Sequence, residues 1–493
     1  MTMATTRRGL MAGAASMAGA GCASAPVSAP SDAMGDRDAI ALAAAVRSGE
    51  VTPSAVIEAA IARAERANAQ LNFIATPTYR EARLNTVARG PFACVPTMIK
   101  DLLPTVGVRT MFGSRAFAQF IPGEQSELAG AFNSSGLVSI GKSTTPEFGF
   151  TATTEPLITG PTRNPWNPAF SAGGSSGGAG VAVAAGVVPV AHASDGGGSI
   201  RIPAAINGLV GLKPSRFRLI RAGAENEPLS ISVNGCVSRT VRDTAVWLAT
   251  FQRPSADAVY PELPVVTGPG ERRLRIGLAL NAQTGVAPDA EVGDAITAAA
   301  ETCRRLGHQV RDFALPIDGA AFAAAFTTYW ASGAAQVKAD IARRAGDTPL
   351  EQLLEPLSLG LAAQFEAAPP GALEQALAVL RDAETRYDAA FADIDVLLTP
   401  VLAKTTVPIG ALAPTQPMDV FQRIGDYVAY TPLQNAAGAP AISLPLGMSR
   451  SGLPIGAHFS ARIGDERTLL ELAFELERAT PWIDRKPQVW VGA

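Results

Sequence analysis

Two short stretches rich in glycine and serine carry most of the information in this 493-residue chain: Gly-Gly-Ser-Ser-Gly-Gly at residues 173–178 and Asp-Gly-Gly-Gly-Ser-Ile-Arg at residues 195–201. Lys100, within Ile-Lys-Asp, precedes both of them. Glycine has no Cβ atom, so the backbone N–H groups of residues 196–198 can come close to a ligand. Together the three stretches supply a lysine, a serine and a second serine in an order that fits one type of covalent catalyst.

These residues can form a proton relay. A serine hydroxyl is unreactive at neutral pH until a base within hydrogen-bond distance removes its proton. A buried lysine can be that base, because lowering its pKa from about 10.4 to roughly 8 costs only about 3 kcal/mol. We predict that Lys100 accepts a proton from Ser175 while Ser175 deprotonates the nucleophile Ser199. The oxyanion would be held by the backbone N–H groups of Gly196, Gly197, Gly198 and Ser199.

The stretch from Lys100 to about Arg242 resembles the amidase signature family. The blocks at residues 173–178 and 195–201 are similar to that family's two serine-containing blocks, and the spacing between the lysine and the two serines agrees. Gly-Leu-Lys-Pro at residues 211–214 is similar to a further shared segment.

The resemblance implies a fold, a chemistry and a subgroup. It implies an α/β fold, a large mixed β-sheet covered by helices on both faces. It also implies hydrolysis of amide bonds by a Ser-cisSer-Lys triad through an acyl-enzyme, which requires no cofactor and no metal. The resemblance to the family covers roughly residues 38–490, and three segments especially resemble the branch that contains 6-aminohexanoate cyclic-dimer hydrolase. The segments behind this are Asn-Pro-Trp-Asn-Pro at residues 164–168, Gly-Ala-Pro-Ala-Ile-Ser-Leu-Pro at residues 438–445 and Pro-Trp at residues 481–482.

Several residues near these blocks are interpreted as structural. Asp195 and Arg201 flank a tight turn, and a carboxylate and a guanidinium in such positions more often fix the turn than take part in chemistry. Ser176 is assigned a structural role beside the site. Phe217 and Thr144 stand where the family pattern has glycine and asparagine. Since glycine is usually required where φ is positive, Phe217 predicts a rebuilt loop after residue 214.

Three other motifs compete with this interpretation. Residues 136–143 satisfy the phosphate-binding pattern G-x-x-x-x-G-K-S, but their variable positions are apolar, as in a strand, and Pro146 interrupts the helix that should follow. Gly-x-Ser-x-Gly at residues 173–177 fits the nucleophile elbow of an α/β-hydrolase, yet nothing around the available histidine, His458, resembles a catalytic turn. Ser-x-x-Lys at residues 139–142 fits penicillin-recognising enzymes, without evident partner motifs.

Composition narrows the class of protein. Hydrophobic residues make up 47% and charged residues 17% of the chain, which is typical of a packed enzyme. The net charge of −3 does not indicate the positively charged surface that a nucleic-acid partner requires. We expect a small-molecule substrate and a monomer or homodimer. The four cysteines fit neither a zinc site nor a disulfide framework and are expected to be free thiols: Cys22, Cys94, Cys236 and Cys303.

Residues 1–30 are predicted to be an export signal region. Thr-Arg-Arg-Gly-Leu-Met at residues 6–11 precedes a weakly apolar run of Ala, Gly and Met, which is typical of a twin-arginine signal. Ala-Ser-Ala at residues 23–25 offers a cleavage site, and Cys22 offers a lipid anchor instead. The sequence predicts a periplasmic or secreted protein with no membrane span.

Residues 31–493 are predicted to form a single domain. Its catalytic core is expected at about residues 90–250 and a variable substrate-pocket region at about residues 270–395, with a Pro- and Gly-rich linker at residues 254–270. Helices are predicted at residues 38–70, 289–306 and 373–391, and buried strands at residues 138–140, 187–190 and 396–398.

Aromatic side chains are the candidate walls of the substrate pocket, because rings give large apolar contact area at little cost in entropy. The candidates are Phe148, Phe150 and Trp330, with Phe326 and Tyr329. The sequence has no concentrated patch of charge beside them, so we predict amide bonds in apolar, uncharged substrates. Carbamate or ester hydrolysis by the same triad is an alternative, because the carbonyl is equally electrophilic. An amidotransferase component, an α/β-hydrolase-type esterase and a catalytically dead binding protein are more remote.

Overall fold

The computed structural model describes residues 32–492, except residue 87, residues 223–228 and residues 417–418. The predicted export signal, with Cys22, lies outside the described residues. The chain forms an eight-stranded mixed sheet and a separate three-stranded sheet. The strands are β1 (Ile74–Pro77), β2 (Val95–Lys100), β3 (Leu137–Ser143), β4 (Val190–Asp195), β5 (Val210–Lys213), β6 (Val233–Ser238), β7 (Arg275–Leu278), β8 (Gln309–Asp312), β9 (Val396–Pro400), β10 (Ala441–Met448) and β11 (Pro454–Ser460).

The larger sheet has the strand order β4-β6-β5-β10-β11-β9-β7-β8. Its strands are antiparallel from β4 to β9, and β9, β7 and β8 are parallel. Strands β9 and β11 are buried along their whole length, as expected for a sheet covered on both faces. Strands from both sides of the 254–270 segment lie in this one sheet. The prediction of an α/β fold with a large mixed sheet is confirmed.

Helices surround the two sheets. They are α1 (Ala39–Arg47), α2 (Pro53–Leu71), α3 (Tyr79–Leu84), α4 (Glu127–Ser135), α5 (Gly177–Ala184), α6 (Arg201–Asn207), α7 (Val241–Phe251), α8 (Ala290–Arg305), α9 (Gly319–Ala342), α10 (Leu350–Leu353), α11 (Pro356–Glu366), α12 (Ala372–Ala390), α13 (Val420–Tyr427), α14 (Pro432–Ala436) and α15 (Glu466–Ala479). Helix α2 begins as its sequence predicts, because Thr52 accepts a hydrogen bond from the backbone N–H of Ala55 and Pro53 occupies the first turn.

Most of the element predictions are confirmed, and one is wrong. Strands β3 and β9 and helices α8 and α12 lie where the apolar spacing indicates. The apolar run at residues 187–190 predicts a strand, but β4 begins only at Val190. Gly186, with a φ of +79°, ends the turn after α5, and the following valines are buried as a connecting loop.

Helix α6 follows directly after the second glycine-rich block and packs on the larger sheet. Gly211 of β5 and Gly456 of β11 allow this contact, because a Cβ atom at either position would lie 2.5 Å from a side chain of α6, Ala204 or Ala205. The start of α6 is therefore held against the centre of the sheet. The residues just before α6 are therefore also fixed in position.

The smaller sheet meets the larger one along β2 and β4. The side chain of Thr97 donates a hydrogen bond to the carbonyl of Val190 across 2.9 Å, and the backbone N–H of Lys100 donates to Nδ1 of His192 across 3.2 Å. These bonds place Lys100, the last residue of β2, beside the carboxyl end of β4.

Candidate active site

Three different elements position the lysine and the two serines of the predicted relay. Lys100 ends β2, Ser175 lies in the loop that leads into α5, and Ser199 lies in the turn between β4 and α6. The peptide bond between Gly174 and Ser175 is cis. All three side chains are buried, with Ser199 the most accessible at 8% exposure.

The Lys100 ammonium group is enclosed by serine oxygens. Its Nζ lies 2.7 Å from Oγ of Ser175, 3.0 Å from Oγ of Ser194 and 3.3 Å from the carbonyl of Ser194. Burial lowers the pKa of Lys100 to about 7, although the negative charge of Asp195 opposes this shift. A substantial fraction of the amine is therefore neutral at neutral pH, and a neutral amine can accept a proton from the Ser175 hydroxyl.

Ser176 fixes the loop that carries Ser175. Its Oγ donates to the carbonyl of Ser194 across 3.1 Å and accepts from the backbone N–H of the same residue across 3.3 Å. The first serine block is thus tied to β4 one residue before Asp195. These bonds hold the loop in place beside the predicted relay.

Asp195 and Arg201 fix the turn that carries Ser199. Oδ2 of Asp195 accepts from Nε of Arg201, Oδ1 accepts from Nη2, both across 3.0 Å, and both side chains are completely buried. Burial alone would raise the pKa of Asp195, but the Arg201 guanidinium holds it well below its usual value. The ionised carboxylate also accepts from the backbone N–H groups of Gly198, across 2.7 Å, and Ile200, across 3.1 Å.

The bond from Gly198 corrects one part of the predicted oxyanion hole. The N–H of Gly198 already donates to Asp195, so it is not free to hold a developing oxyanion. Within the described chain, the N–H groups of Gly196, Gly197 and Ser199 have no such internal acceptor. Thr431 fixes the loop from its other side, since its hydroxyl donates to the carbonyl of Gly197 across 2.7 Å.

His458 belongs to the same buried network and not to a serine. Its Nε2 lies 3.0 Å from Nη1 of Arg201, and its Nδ1 lies 2.9 Å from the hydroxyl of Thr399. Burial, reinforced by the Arg201 charge, lowers the pKa of His458 well below its usual value. Both ring nitrogens are therefore engaged away from Ser175, which argues against a nucleophile elbow served by this histidine.

A cavity of about 750 Å³ opens over the glycine loop, and Ser199 and Gly197 form part of its floor. Gly149 lines the same cavity, and a Cβ atom at this position would lie 3.1 Å from Oγ of Ser175. The two serines are thus at, or directly behind, one wall of a single cavity. Its volume lies in the ordinary range for small-molecule sites.

Helix α9 supplies an aromatic wall to this cavity. Phe322, Phe326 and Trp330 recur every four residues on one face, and their ring centroids are 5.9 Å and 5.7 Å apart in stacked geometry. The indole N–H of Trp330 donates to the carbonyl of Phe150, whose ring also lines the cavity. The Trp330 ring lies close to the glycine loop, because a Cβ atom at Gly196 would lie 3.4 Å from this ring.

Two aromatic candidates lie outside the wall. Phe148 does not line the cavity. Its ring packs edge-to-face on the ring of Phe117 and also contacts the ring of Phe150. Tyr329 is buried, and its hydroxyl donates to the carbonyl of Leu229.

The two departures from the family pattern have clear environments. Phe217 has a φ of +66°, in the region that normally favours glycine, and the Arg253 guanidinium lies 5.4 Å from the centre of its ring. Thr144 is buried, and its hydroxyl lies 2.7 Å from that of Thr162. The positive φ expected of a glycine is therefore present at Phe217 despite its side chain.

Sequence reasoning missed four residues that shape this site: Ser194, Phe322, Thr431 and Asn435. Ser194 directly precedes Asp195 and could have been found from its position. Phe322 could have been found from its four-residue spacing to the other two rings. Thr431 and Asn435 reach the glycine loop from more than 200 residues away in sequence, and no local pattern indicates this.

Over residues 32–492 with the gaps given above, no group of three or more His, Cys, Asp and Glu side chains could hold a metal ion. The same part of the chain contains no helix long and apolar enough to cross a membrane. Three of the four cysteines are confirmed as buried free thiols: Cys94, Cys236 and Cys303. Burial raises the pKa of the Cys94 thiol to about 11, so it stays protonated at neutral pH.

Comparison with known proteins defines the class of this molecule. The family model described as Amidase matches residues 55–470. The chain belongs to the amidase family, and it is an enzyme of the class that hydrolyses carbon–nitrogen bonds other than peptide bonds.

Particular relatives cover nearly the whole chain. A Mycobacterium tuberculosis protein provisionally named amidase AmiC is 44% identical over 457 residues, which is 92% of this chain and 96% of the relative. The 6-aminohexanoate-cyclic-dimer hydrolase of Paenarthrobacter ureafaciens is 34% identical, covering 92% of this chain and 97% of the relative.

Solved structures of related enzymes also match this chain over most of its length. That of 6-aminohexanoate cyclic dimer hydrolase complexed with substrate matches with a TM-score of 0.85 at 32% identity, covering 92% of this chain and 99% of the other. A bacterial aryl acylamidase matches with a TM-score of 0.80 at 27% identity, covering 91% and 97%. The predicted family and its resemblance to the cyclic-dimer hydrolase are confirmed.

Proposed function

We propose that this enzyme hydrolyses amide bonds in apolar, uncharged substrates through an acyl-enzyme on Ser199. The observation that carries the proposal is the buried Lys100 amine, 2.7 Å from the Ser175 hydroxyl, at the wall of a cavity whose floor includes Ser199. A lysine with a pKa of about 7 is matched to proton transfer at neutral pH.

The proposed reaction begins with attack of Oγ of Ser199 on the amide carbonyl carbon. The Ser199 proton passes to Oγ of Ser175 as the Ser175 proton passes to neutral Lys100. The carbonyl oxygen becomes an oxyanion, which the backbone N–H groups of Gly196, Gly197 and Ser199 stabilise. This set leaves out Gly198, whose N–H is bonded to Asp195.

The carbon–nitrogen bond then breaks as Ser175 protonates the leaving amine and recovers a proton from Lys100. Water attacks the acyl-enzyme, and the same relay removes its proton and returns one to Ser199. Every proton is accounted for by these three side chains, so the scheme needs no metal and no cofactor. Asp195 and Arg201 position the turn and do not exchange protons.

The aromatic wall supports the choice of substrate. Stacked rings at Phe322, Phe326 and Trp330 present a flat apolar surface beside Ser199, which suits an aryl or extended aliphatic group. Two similar proteins carry names that agree with this, an aryl acylamidase and a hydrolase of a cyclic aminohexanoate dimer. Of the aromatic residues predicted from sequence, Phe150 and Trp330 are the proposed substrate contacts.

Carbamate or ester hydrolysis by the same residues is the second candidate, because Ser199 would attack those carbonyls in the same way. The relatives also include one component of the glutamyl-tRNA(Gln) amidotransferase of a Synechococcus strain, at 32% identity. The twin-arginine-like segment at residues 6–11 opposes that role, and we propose a periplasmic or secreted enzyme, a monomer or homodimer, with residues 31–493 as its single domain.

A substrate panel tests the proposal. We expect purified protein to hydrolyse an acyl anilide faster than glutamine, with Ser199→Ala inactive on both and folded by circular dichroism. Parallel assays with an aryl carbamate and an aryl ester of the same acyl size rank the second candidate. If glutamine exceeds the anilide by roughly tenfold in kcat/KM, about 1.4 kcal/mol in transition-state binding, the apolar-substrate proposal fails.

A further inference from the structure

The cavity over Ser199 contains one charge that the reaction does not use. Of the described residues that line it, Asp426 alone is charged. Asp426 is half-buried near the end of α13, and Nε2 of Gln422, one turn earlier, donates to its Oδ1 across 2.9 Å. Gln422 also lines the cavity. Asp426 therefore lines the substrate space with a neutral hydrogen-bond partner.

The one cationic residue of α13, Arg423, has its partners elsewhere. Arg423, on the same helix, forms an ion pair with Asp419 across 3.3 Å and donates to the carbonyl of Ala411 across 2.8 Å. Within the described part of the chain, no Lys or Arg forms an ion pair with Asp426. The other polar lining residues include neutral amides, among them Gln283 and Gln364. Among its described lining residues, the cavity thus has one negative charge, and that charge has no ion-pair partner in the described part of the chain.

A single charge in a concave, largely apolar space has a stronger effect than the same charge on an open surface. Low-dielectric walls concentrate its field and raise the local concentration of ions of the opposite sign. A carboxylate that gives up part of its hydration in such a site gains most from a partner that is itself cationic and hydrogen-bonding. An ammonium group meets both conditions.

We propose that Asp426 forms a subsite for an ammonium group that the substrate carries at a distance from its scissile carbonyl. The preferred substrates are then amides with an apolar middle, held against Phe326 and Trp330, and one remote amine. The inference rests on the proposed function, because it takes the reacting carbonyl to lie at Ser199. It restricts the absence of charge in the proposed function to the part of the substrate beside Ser199 and the aromatic wall, and it replaces the expectation of a wholly uncharged substrate.

Matched anilides test this subsite by turnover. One set carries an ammonium, a methyl or a carboxylate group at the end of the same acyl chain, and a second set carries these groups on the amine part. We expect the ammonium compound to exceed its methyl analogue by about tenfold in kcat/KM in at least one set. Asp426→Asn, which keeps an oxygen for Gln422, should remove this preference and leave the methyl compound within about twofold.

Asp382→Asn is the matched control, because it makes the same chemical change at an exposed residue of α12 outside the cavity lining and leaves Arg423 paired with Asp419. It should leave all ratios as in the wild type. If the ammonium preference is absent from both sets, or persists in Asp426→Asn, the subsite does not exist.

A binding measurement distinguishes the failure of the Asp426 subsite from the failure of the proposed function. A phenylbutylammonium ion should bind the wild-type enzyme about tenfold more tightly than phenylbutanol by calorimetry, and Asp426→Asn should bind the two equally. Equal binding to the wild type overturns the subsite even if anilides are hydrolysed. Discrimination in binding with no hydrolysis of any amide leaves the subsite standing and overturns the proposed function.

Discussion

Lys100 depends on its surroundings for its chemistry. An ordinary lysine is an ammonium ion at neutral pH and cannot accept a proton. Complete burial at the junction of β2 and β4 lowers the pKa of Lys100 to about 7, and the hydroxyls of Ser175 and Ser194 give the amine its hydrogen bonds. The residue and the direction of the shift could be predicted from sequence, because both follow from its place in the resemblance and from burial.

Replacing Lys100 by alanine should remove most activity, and more on amides than on esters. An amine is the poorer leaving group, so amide cleavage depends more on proton delivery from Ser175. We expect losses of at least about 100-fold in kcat/KM for an acyl anilide and clearly less for the matched aryl ester. A small loss of equal size on both substrates would contradict a role for Lys100 as the base.

The pH dependence of turnover follows from the same pKa. Only neutral Lys100 accepts a proton, so kcat/KM should rise with pH through about 7 and level off roughly one pH unit higher. The measurement is a profile of kcat/KM for a neutral anilide in buffers of constant ionic strength. A Lys100→Arg variant, which keeps the positive charge, should be inactive across the profile. A wild-type rate that falls over this range would exclude the assignment.

The aromatic wall on helix α9 follows from the spacing of aromatic residues in its sequence. Phe326 and Trp330 are wall candidates from sequence, and their four-residue spacing places them on one face of the helix with Phe322. Phe148 is a candidate for the same chemical reason, but it packs on Phe117 because the short turn at residues 147–149 directs it elsewhere. Helical periodicity can be recognised in a sequence, whereas the direction of a loop residue cannot.

Trp330→Ala should reduce activity on aryl substrates more than it reduces the stability of the fold. The change removes one stacking partner of Phe326 and the indole bond to Phe150, so we expect a fall of about tenfold to 100-fold in kcat/KM for aryl substrates. A short aliphatic amide should lose much less. Tyr329→Phe, on the same helix but outside the cavity lining, serves as the control. Equal losses for aryl and short aliphatic amides would show that Trp330 is not a substrate contact.

At the scale of the whole molecule, distant segments complete the glycine loop. Asn435 donates to Oδ1 of Asp195 and Thr431 to the carbonyl of Gly197, from residues more than 200 positions downstream. The fold class and the contact between Lys100 and Ser175 could be predicted because the motifs match a known family. These supports, and the bond from the Gly198 N–H to Asp195, could not be predicted, because such contacts depend on where the fold places α14 and the glycine loop.

A buried pair of carboxyl groups links the turn at residues 147–149 to the start of α11. Glu147, at the turn near Gly149, accepts from the hydroxyl of Ser114 across 2.7 Å and from the backbone N–H of Glu355 across 2.8 Å. Burial, and then the nearby Glu147 carboxylate, raises the pKa of Glu355 to about 8. Folding therefore favours protonated Glu355. This contribution to stability is complete below the unfolded-state pKa of about 4.5 and is lost as pH rises through about 8.

Glu355→Gln should flatten the pH dependence of stability. Glutamine keeps an oxygen for the backbone N–H of Leu157 but cannot ionise beside Glu147. We expect the wild-type Tm to fall more steeply than that of the variant from about pH 5 to about pH 8. The control is Glu366→Gln, an exposed change at the other end of α11. Parallel curves for wild type and Glu355→Gln would contradict the raised pKa.

The covalent bond between Ser199 and the substrate's acyl group is the central step of the proposed mechanism. Treating the wild-type enzyme with a serine-directed fluorophosphonate, followed by peptide mass spectrometry, tests this step most directly. We expect a single label on Ser199, slow labelling of that residue in Lys100→Ala, and no label in Ser199→Ala. A label on Ser175 or on Ser139 in the wild-type enzyme would contradict the assignment of Ser199 as the nucleophile.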